Sequence, residues 1–290
     1  MLRPYKTFLF DADGTLWDSK GKISGSAEFI RYLKESGRKV LLVSNNSTKS
    51  VEEYSVKCQK LGLPLELSEI VCSANITANY LAKQGIKGPV YVVGQSGISK
   101  ELDKVGIEHF GIGPDTTPIG DFDASHLRDD VSSVIVGFDS YFNYMKVMKA
   151  TSYILRGSKF YATNEDALLP CDEYAKPGTG AIVASVRKAT GIVPTVFGKP
   201  STTVWDFIKE KYGADEKTSV IVGDRLDTDI QMGKAAGLCT VCVMSGVTSE
   251  ELLSKVRADP VQAALLAPDF VYPSIREMHQ QIVEEDKKSA

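Results

Sequence analysis

Two carboxylates, Asp11 and Asp13, stand two residues apart where the apolar run TFLF (7–10) gives way to DADGT. Like charges this close repel unless water or a cation neutralises them. Three other apolar runs also end in polar chemistry. KVLLV (39–43) leads into Ser44, Asn45 and Asn46; VFG (196–198) leads into Lys199 and Pro200; SVIVG (219–223) leads into Asp224 and, five residues later, Asp229. Carboxylates, a hydroxyl, amides and one ammonium suit a phosphoryl group with a divalent cation. Two carboxylates from different strands offer the hard oxygen ligands that magnesium takes while keeping several waters. Such a cation would neutralise the charge gathered at Asp11 and Asp224. Ser44, Asn45 and Lys199 can donate hydrogen bonds to phosphate oxygens. A carboxylate that the metal does not need can hold a proton and serve as general acid. Taken alone, DADGT reads equally well as a solvated turn. Its recurrence in kind at four strand ends argues against that reading.

The elements that must position these residues alternate between short apolar runs and helical stretches, the pattern of an open parallel sheet covered by helices. TFLF, KVLLV, SVIVG and CTVCVM (239–244) read as strands, as does VFG. AEFIRYLKESG (27–37), SVEEYSVKCQKLG (50–62), TVWDFIKEKYG (203–213) and TDIQMGKAAG (228–237) read as helices, each closing on glycine. In such a sheet ligands sit outside the carboxyl ends of the strands, so one edge would collect the whole set.

Bulk properties narrow the class. The 290 residues can bury a full core in one or two domains. With 43% hydrophobic and 24% charged residues the chain is ordinary for a soluble protein, and a net charge of −3 offers no basic surface for nucleic acid. The opening MLRPYKTFLF has too short an apolar run for a signal peptide and no run approaches a membrane span, so a cytoplasmic enzyme without a membrane partner is expected. Five scattered cysteines read as reduced thiols. The pair Cys239 and Cys242 reads as buried strand residues, because a zinc site would need a second ligand pair. Neither GxSxG nor Cys-x5-Arg occurs, which leaves serine and cysteine nucleophiles without a home.

With these motifs the sequence resembles the haloacid-dehalogenase superfamily of phosphatases: DADGT, VSNNS, GKP and GDRLDTD look like its four motifs in order. TNEDALLP (163–170), PGTGAIVASVRKATG (177–191) and GDRLDTDI look like the branch of 4-nitrophenylphosphatases and phosphoglycolate phosphatases, which is akin to the bacterial NagD type. The resemblance implies a Rossmann-like parallel-sheet α/β core with an inserted α/β cap of C2 type. It implies Asp11 as the nucleophile that takes the phosphoryl group and Asp13 as the acid that protonates the leaving oxygen and then activates water. Ser44 and Asn45 would hold the phosphate, and Lys199 would orient Asp11 and offset phosphoryl charge. Mg2+ would be bound by the Asp11 carboxylate, the Asp13 main-chain carbonyl and the Asp224 carboxylate, with Asp229 supporting it from behind. The dehalogenases lack the second acid, since a halide leaves without a proton, so Asp13 favours phosphoester hydrolysis. Asn46 is expected to brace its own loop, and Asp18 and Asp227 to be solvated.

About 130 residues separate the second and third motifs. They hold a second alternating pattern, with strands at PVYVVG (89–94), SSVIVGF (132–138) and KFYAT (159–163) and helices at 99–106, 143–157 and 180–191. The expected domains are a core of 1–87 with 195–290 and an inserted domain of 88–194. GQSG (94–97) reads as an ordinary turn, lacking the lysine of a P-loop. A cap excludes water and macromolecules, so the expected substrate is a small phosphorylated metabolite. Within the resemblance, Asn164, Asp166 and Leu169 are candidates for contacts with its non-phosphate end. Pyridoxal phosphatases carry histidine where this chain has Leu169, which points to 2-phosphoglycolate, with 4-nitrophenyl phosphate also hydrolysed; the alternative is that Leu169 only packs its loop. Pyridoxal phosphate and sugar phosphates remain alternative substrates, as do a non-hydrolytic sensor and a phosphotransferase. Homodimerisation through the cap is an expectation of the resemblance alone.

Overall fold

The computed structural model describes residues 2–171 and 173–288. The chain divides into two compact units, one formed by Met1–Ser44, Tyr54–Val71 and Lys199–Ala290, the other by Asn45–Glu53 and Cys72–Gly198. Among the described residues no helix is long and apolar enough to cross a membrane.

The first unit is built on a six-stranded sheet in the order Phe270–Tyr272, Cys239–Val243, Ser219–Gly223, Thr7–Phe10, Lys39–Ser44, Ile70–Cys72. Thr7–Phe10 is buried along its whole length and lies parallel to both neighbours, with Phe10 level with Leu42 on one side and Val222 on the other. A strand covered on both faces needs an unbroken apolar run, which TFLF supplies. Phe29, from the helix Ser26–Glu35, sets its ring edge-on to Phe10 at 5.7 Å and 80° and to Phe8 at 6.2 Å and 79°. Glu28 in the first turn of that helix and Lys34 in its last complement the helix dipole. The chain leaves the central strand to one neighbour early and reaches the other only after residue 198. The reversal of strand order therefore falls beside Asp11, where an open sheet has its crevice.

The second unit has a five-stranded parallel sheet in the order Thr195–Val196, Lys159–Ala162, Ser133–Val136, Val90–Val93, His109–Phe110. Its core joins Val93, Val134 and Val136 of the strands to Ala150 and Tyr153 of the helix Tyr144–Leu155 and Val183 of Thr179–Thr190. Residues 111–130 form a long connection that holds two short 3-10 turns, Ile119–Asp121 and Ala124–His126.

Three expectations need revision. VFG is not a strand of the first sheet: Thr195 and Val196 pair with Tyr161 and Ala162 at the edge of the second, and Lys199 follows on a loop. A run this short pairs with whichever edge is open, and periodicity cannot name the sheet. Segments 45–53 and 72–87, expected in the core domain, cluster with the second unit. The buried Glu101 of the helix Ser96–Lys104 accepts hydrogen bonds from the Val51 amide at 2.8 Å and from Asn75 Nδ2 at 3.0 Å, which ties both segments to it. Finally, the stretch read as a helix over 228–237 opens as a wide turn, Leu226–Ile230, before the regular helix Gln231–Ala235.

The second unit also buries an ion pair, Lys146 with Asp139, both inaccessible to solvent, while the Tyr141 amide donates to the other Asp139 oxygen. Removing one member of such a pair leaves the other charge desolvated. Lys146→Met is therefore expected to cost about 3–5 kcal/mol, and the double variant Lys146→Met, Asp139→Asn clearly less. Urea unfolding of the three proteins measures the difference.

Candidate active site

Asp11 continues the central strand, its amide donating to Val222 O at 2.8 Å. Because Phe10 is level with Val222, Asp11 and Asp224 leave neighbouring strands at nearly the same height. Lys199 supplies the cation. Its side chain is 1% exposed, and its ammonium donates to Asp11 Oδ1 at 2.5 Å and to Val43 O at 2.8 Å and lies 2.7 Å from Asp229 Oδ1. A buried ammonium is tolerable only with partners of this kind.

Asp229 reaches the cluster because the backbone widens after Ser219–Gly223. Ile230 N donates to Arg225 O across five residues, and the Arg225 amide donates back to Asp229 Oδ2 at 3.2 Å. Wide turns of this sort often mark functional positions, since they re-aim one side chain without ending the helix. Asp224 is held in a close-fitting cradle: Val247 N donates to its Oδ2 at 2.7 Å, and Thr248 Oγ1 donates to its carbonyl at 2.6 Å. A Cβ at Gly14 would sit 2.4 Å from Asp224 Oδ2 and one at Gly246 only 1.9 Å away, so only glycine leaves room for this carboxylate. Gly14 also needs its positive φ of 84°, which glycine adopts freely.

Asp11, Asp224 and Asp229 each bring a carboxylate oxygen within 4.8 Å of the others. Three carboxylates against one ammonium leave a net negative charge in a buried place. Burial pushes the Asp11 carboxyl well above its ordinary value; Lys199 pulls it down, while Asp229 and Asp224 push it further up. Burial, then the Asp229 charge, push Asp224 up to about 7, against the Val247 amide and the cations Lys199 and Arg225. Burial lowers the proton affinity of Lys199, but Asp11 and Asp229 more than offset it and leave it above its ordinary value. Asp224 Oδ1 is buried with no hydrogen-bond partner among the described residues. An orphaned carboxylate oxygen facing two further hard donors fits a divalent cation of the magnesium type.

The remaining expected residues fall in separate places. Asp13 stays outside the carboxylate cluster, its Oδ1 accepting from Trp17 Nε1 at 2.8 Å. Ser44 Oγ is buried 2.9 Å from the Tyr54 hydroxyl. In the second unit Asn45 Nδ2 donates to Asp166 Oδ1 at 2.9 Å, so two residues expected to face ligand also bond each other. Asn164 is buried and accepts from Thr163 Oγ1 at 2.9 Å, and Leu169 pairs with Lys176 in an antiparallel pair of two-residue strands. Asn46 braces its loop as expected, accepting from the Thr48 amide and hydroxyl at 2.9 and 2.7 Å. Cys239 and Cys242 are buried strand thiols.

Sequence reasoning missed the Ser245–Thr248 turn, although the rule that found the other motifs leads there. The strand Cys239–Val243 ends next to it, and Ser245 Oγ donates to Gly14 O at 2.7 Å, binding this turn to the loop after Asp11.

A family model described as haloacid dehalogenase-like hydrolase matches residues 8–108, and a second, HAD-hydrolase-like, matches 196–278. A human glycerol-3-phosphate phosphatase is 34% identical over 96% of this chain and 91% of its own length. The chain belongs to the haloacid dehalogenase-like hydrolases. Phosphoglycolate phosphatase 1A, chloroplastic, of Arabidopsis thaliana is 40% identical over 92% of this chain and 77% of its own. Among solved structures, a p-nitrophenyl phosphatase from Archaeoglobus fulgidus superposes with a TM-score of 0.83 at 31% identity, over 96% of this chain and 99% of that one. A glycerol phosphate phosphatase from Mycobacterium tuberculosis in complex with magnesium superposes at 0.80 with 27% identity, over 96% of this chain and 78% of that one. The parallel-sheet α/β fold is thus that of the family's NagD-like members.

The cluster's charge predicts a pH effect on the metal-free protein. A carboxyl whose folded pKa is raised binds its proton more tightly in the folded state, so stability falls as pH rises from the unfolded value through the folded one. For Asp224 that window runs from 3.8 to about 7. Without metal, Asp224→Asn should match wild type near pH 4 and exceed it at pH 8 by about 5 °C in melting temperature. Added Mg2+ should raise the wild-type midpoint at pH 8 and leave the variant nearly unmoved; scanning calorimetry with and without the ion reads both.

Proposed function

We propose that this HAD-family phosphatase, an enzyme of small phosphate esters, hydrolyses 2-phosphoglycolate and 4-nitrophenyl phosphate through an aspartyl-phosphate intermediate, with Mg2+ as cofactor. The observation that carries this reading is the placing of its two neighbouring acids. Asp11 sits on Lys199 inside the carboxylate cluster, whereas Asp13, two residues on, is held apart from it.

Those surroundings support the following roles. An Asp11 oxygen attacks phosphorus, and the bond from phosphorus to the ester oxygen breaks. Lys199 keeps the Asp11 carboxylate oriented and offsets charge as the phosphoryl group approaches. Asp13 gives its proton to the departing oxygen, then accepts one from the water that displaces Asp11 from phosphorus. Mg2+, when bound by Asp11, Asp224 and the Asp13 carbonyl with Asp229 behind them, supplies positive charge against the phosphoryl oxygens. Ser44 and Asn45 are the phosphate-holding residues in this reading. Asn164, Asp166 and Leu169 select the rest of the substrate, and the apolar Leu169 gives a pyridoxal ring no polar partner.

A second substrate, glycerol 3-phosphate, has support in the relatives named for it. The cytoplasm as location and a homodimer as assembly belong to the same proposal.

Phosphate release from 2-phosphoglycolate, glycerol 3-phosphate, pyridoxal phosphate, sugar phosphates and 4-nitrophenyl phosphate is the test, with and without Mg2+. The expected result is Mg2+-dependent release with 2-phosphoglycolate highest in kcat/KM. Asp11→Asn should lower turnover by about 10⁴-fold or more. An active Asp11→Asn variant would refute the nucleophile, and a different first substrate would refute the role given to Leu169.

A further inference from the structure

Asp13 is more than a free acid beside the nucleophile. Its Oδ1 accepts the Trp17 indole N–H at 2.8 Å and lies 3.7 Å from Lys57 Nζ. The same ammonium sits 4.3 Å from the centroid of the Trp17 ring. Trp17 is fully buried and follows Asp13 by four residues through the DGTL turn, and Gly14 N bonds back to Trp17 O at 2.7 Å. Lys57 comes from the helix Val51–Lys60, one turn after Tyr54, so both reach the same side of that helix. Tyr54 is buried against Trp17, with ring centroids 6.4 Å apart, and its hydroxyl meets Ser44. The Lys57 and Asp13 side chains are 34% and 37% exposed. Their ion pair alone would therefore be weak, but the indole N–H and the ring face add direction to it.

We propose that Trp17 and Lys57 are positioning residues that hold Asp13 by Oδ1, so that its other oxygen, Oδ2, delivers the proton to the leaving oxygen. The inference rests on the phosphatase reading above. A carboxylic acid carries its hydrogen on one oxygen and accepts on the other. Oδ1 already accepts from an N–H beside a cation, which leaves the hydrogen to Oδ2. In the first step an Asp11 oxygen bonds to phosphorus and the ester P–O bond breaks. Its electron pair goes to the departing oxygen, which takes the proton from Oδ2. Asp13 is then a carboxylate whose charge faces Lys57 and the indole. In the second step the attacking water returns a proton to Oδ2 as the bond from phosphorus to Asp11 breaks.

The proposal separates substrates by leaving group. An alkoxide cannot depart without a proton, whereas the nitro group lets 4-nitrophenolate depart as the anion. The quantity to read is kcat/KM, which covers steps up to the departure of the alcohol, for glycerol 3-phosphate and 4-nitrophenyl phosphate side by side. In Lys57→Met the alkyl ester should lose about tenfold more than the aryl ester, and Trp17→Phe, which keeps the ring and removes the N–H, should show the same bias. Lys57→Arg should recover most of the lost ratio. In an Asp13→Asn background, Lys57→Met should leave the ratio where Asp13→Asn put it, because the effect runs through that carboxyl. Equal losses on the two esters, or a ratio that shifts as much without Asp13, would overturn the proposal while the phosphatase reading stood. Wild-type protein that releases phosphate from neither ester would overturn both. Lys57 lies on a helix surface, so its variants keep the test open should Trp17→Phe fail to fold.

Discussion

Lys199 is a single buried ammonium that cannot satisfy all three carboxylates gathered around it. It bonds Asp11 and pairs with Asp229, leaving Asp224 Oδ2 to the Val247 amide and Asp224 Oδ1 without a hydrogen-bond partner among the described residues. Most local features of the first unit answer to this imbalance. The central strand is buried on both faces and delivers Asp11 to the Lys199 ammonium at its end. The wide turn after Gly223 brings Asp229 back over the strand end, where a regular helix would aim it elsewhere. Glycines at 14 and 246 leave Asp224 just enough room. An apolar core alone would not assemble so much like charge. The fold supplies the geometry at a cost in metal-free stability, which a divalent cation held by these carboxylates would offset.

The core motifs were legible because they lie where a short apolar run stops, and a parallel sheet turns that one-dimensional fact into a shared edge. Asp11, Asp224 and Asp229 could be read together for this reason, although they are more than two hundred residues apart in part. Lys199 was placed among them on a mistaken ground: the run before it belongs to the other sheet. Its own chemistry, a lysine followed by proline at the re-entry into the first unit, was the sounder signal. The Ser245–Thr248 turn was overlooked because its residues bond through main-chain groups as much as side chains, and no residue type announces that. Trp17, Tyr54 and Lys57 were invisible to strand-end reasoning, since they act from a turn and a helix face.

The second unit shows where pattern reading stops. Its strands and helices followed from periodicity, yet its boundaries did not, because the decisive contacts are single side chains. One buried carboxylate, Glu101, draws both the start of the helix Val51–Lys60 and the helix Ser73–Lys83 to its unit. Nothing in the spacing of Val51, Asn75 and Glu101 announces that they will meet. The chain crosses between the units four times, two of them between Ser44 and Asn45 and between Gly198 and Lys199. Two of the four motifs therefore straddle a domain boundary, and composition-based boundary signals, which look for Gly and Pro in exposed linkers, are least informative there.

Asp11 and Asp13 illustrate how two identical side chains, one residue between them, come to differ. Along an extended strand, alternate residues point to the same side, and both acids would then share one environment. The DGT turn breaks that repeat. It leaves Asp11 in line with the strand, against an ammonium and two other carboxylates, and hands Asp13 to an indole N–H and a second lysine. In the proposed mechanism the nucleophile keeps its negative charge without a proton, which a lysine bonded directly to it supports. An acid that donates and then recovers a proton needs support on one oxygen only, with the other left to exchange. Environment alone can divide such roles between like carboxylates. Here the difference in surroundings depends on a single tight turn whose glycine also makes room for Asp224, so the same residue that separates the two acids completes the cluster around one of them.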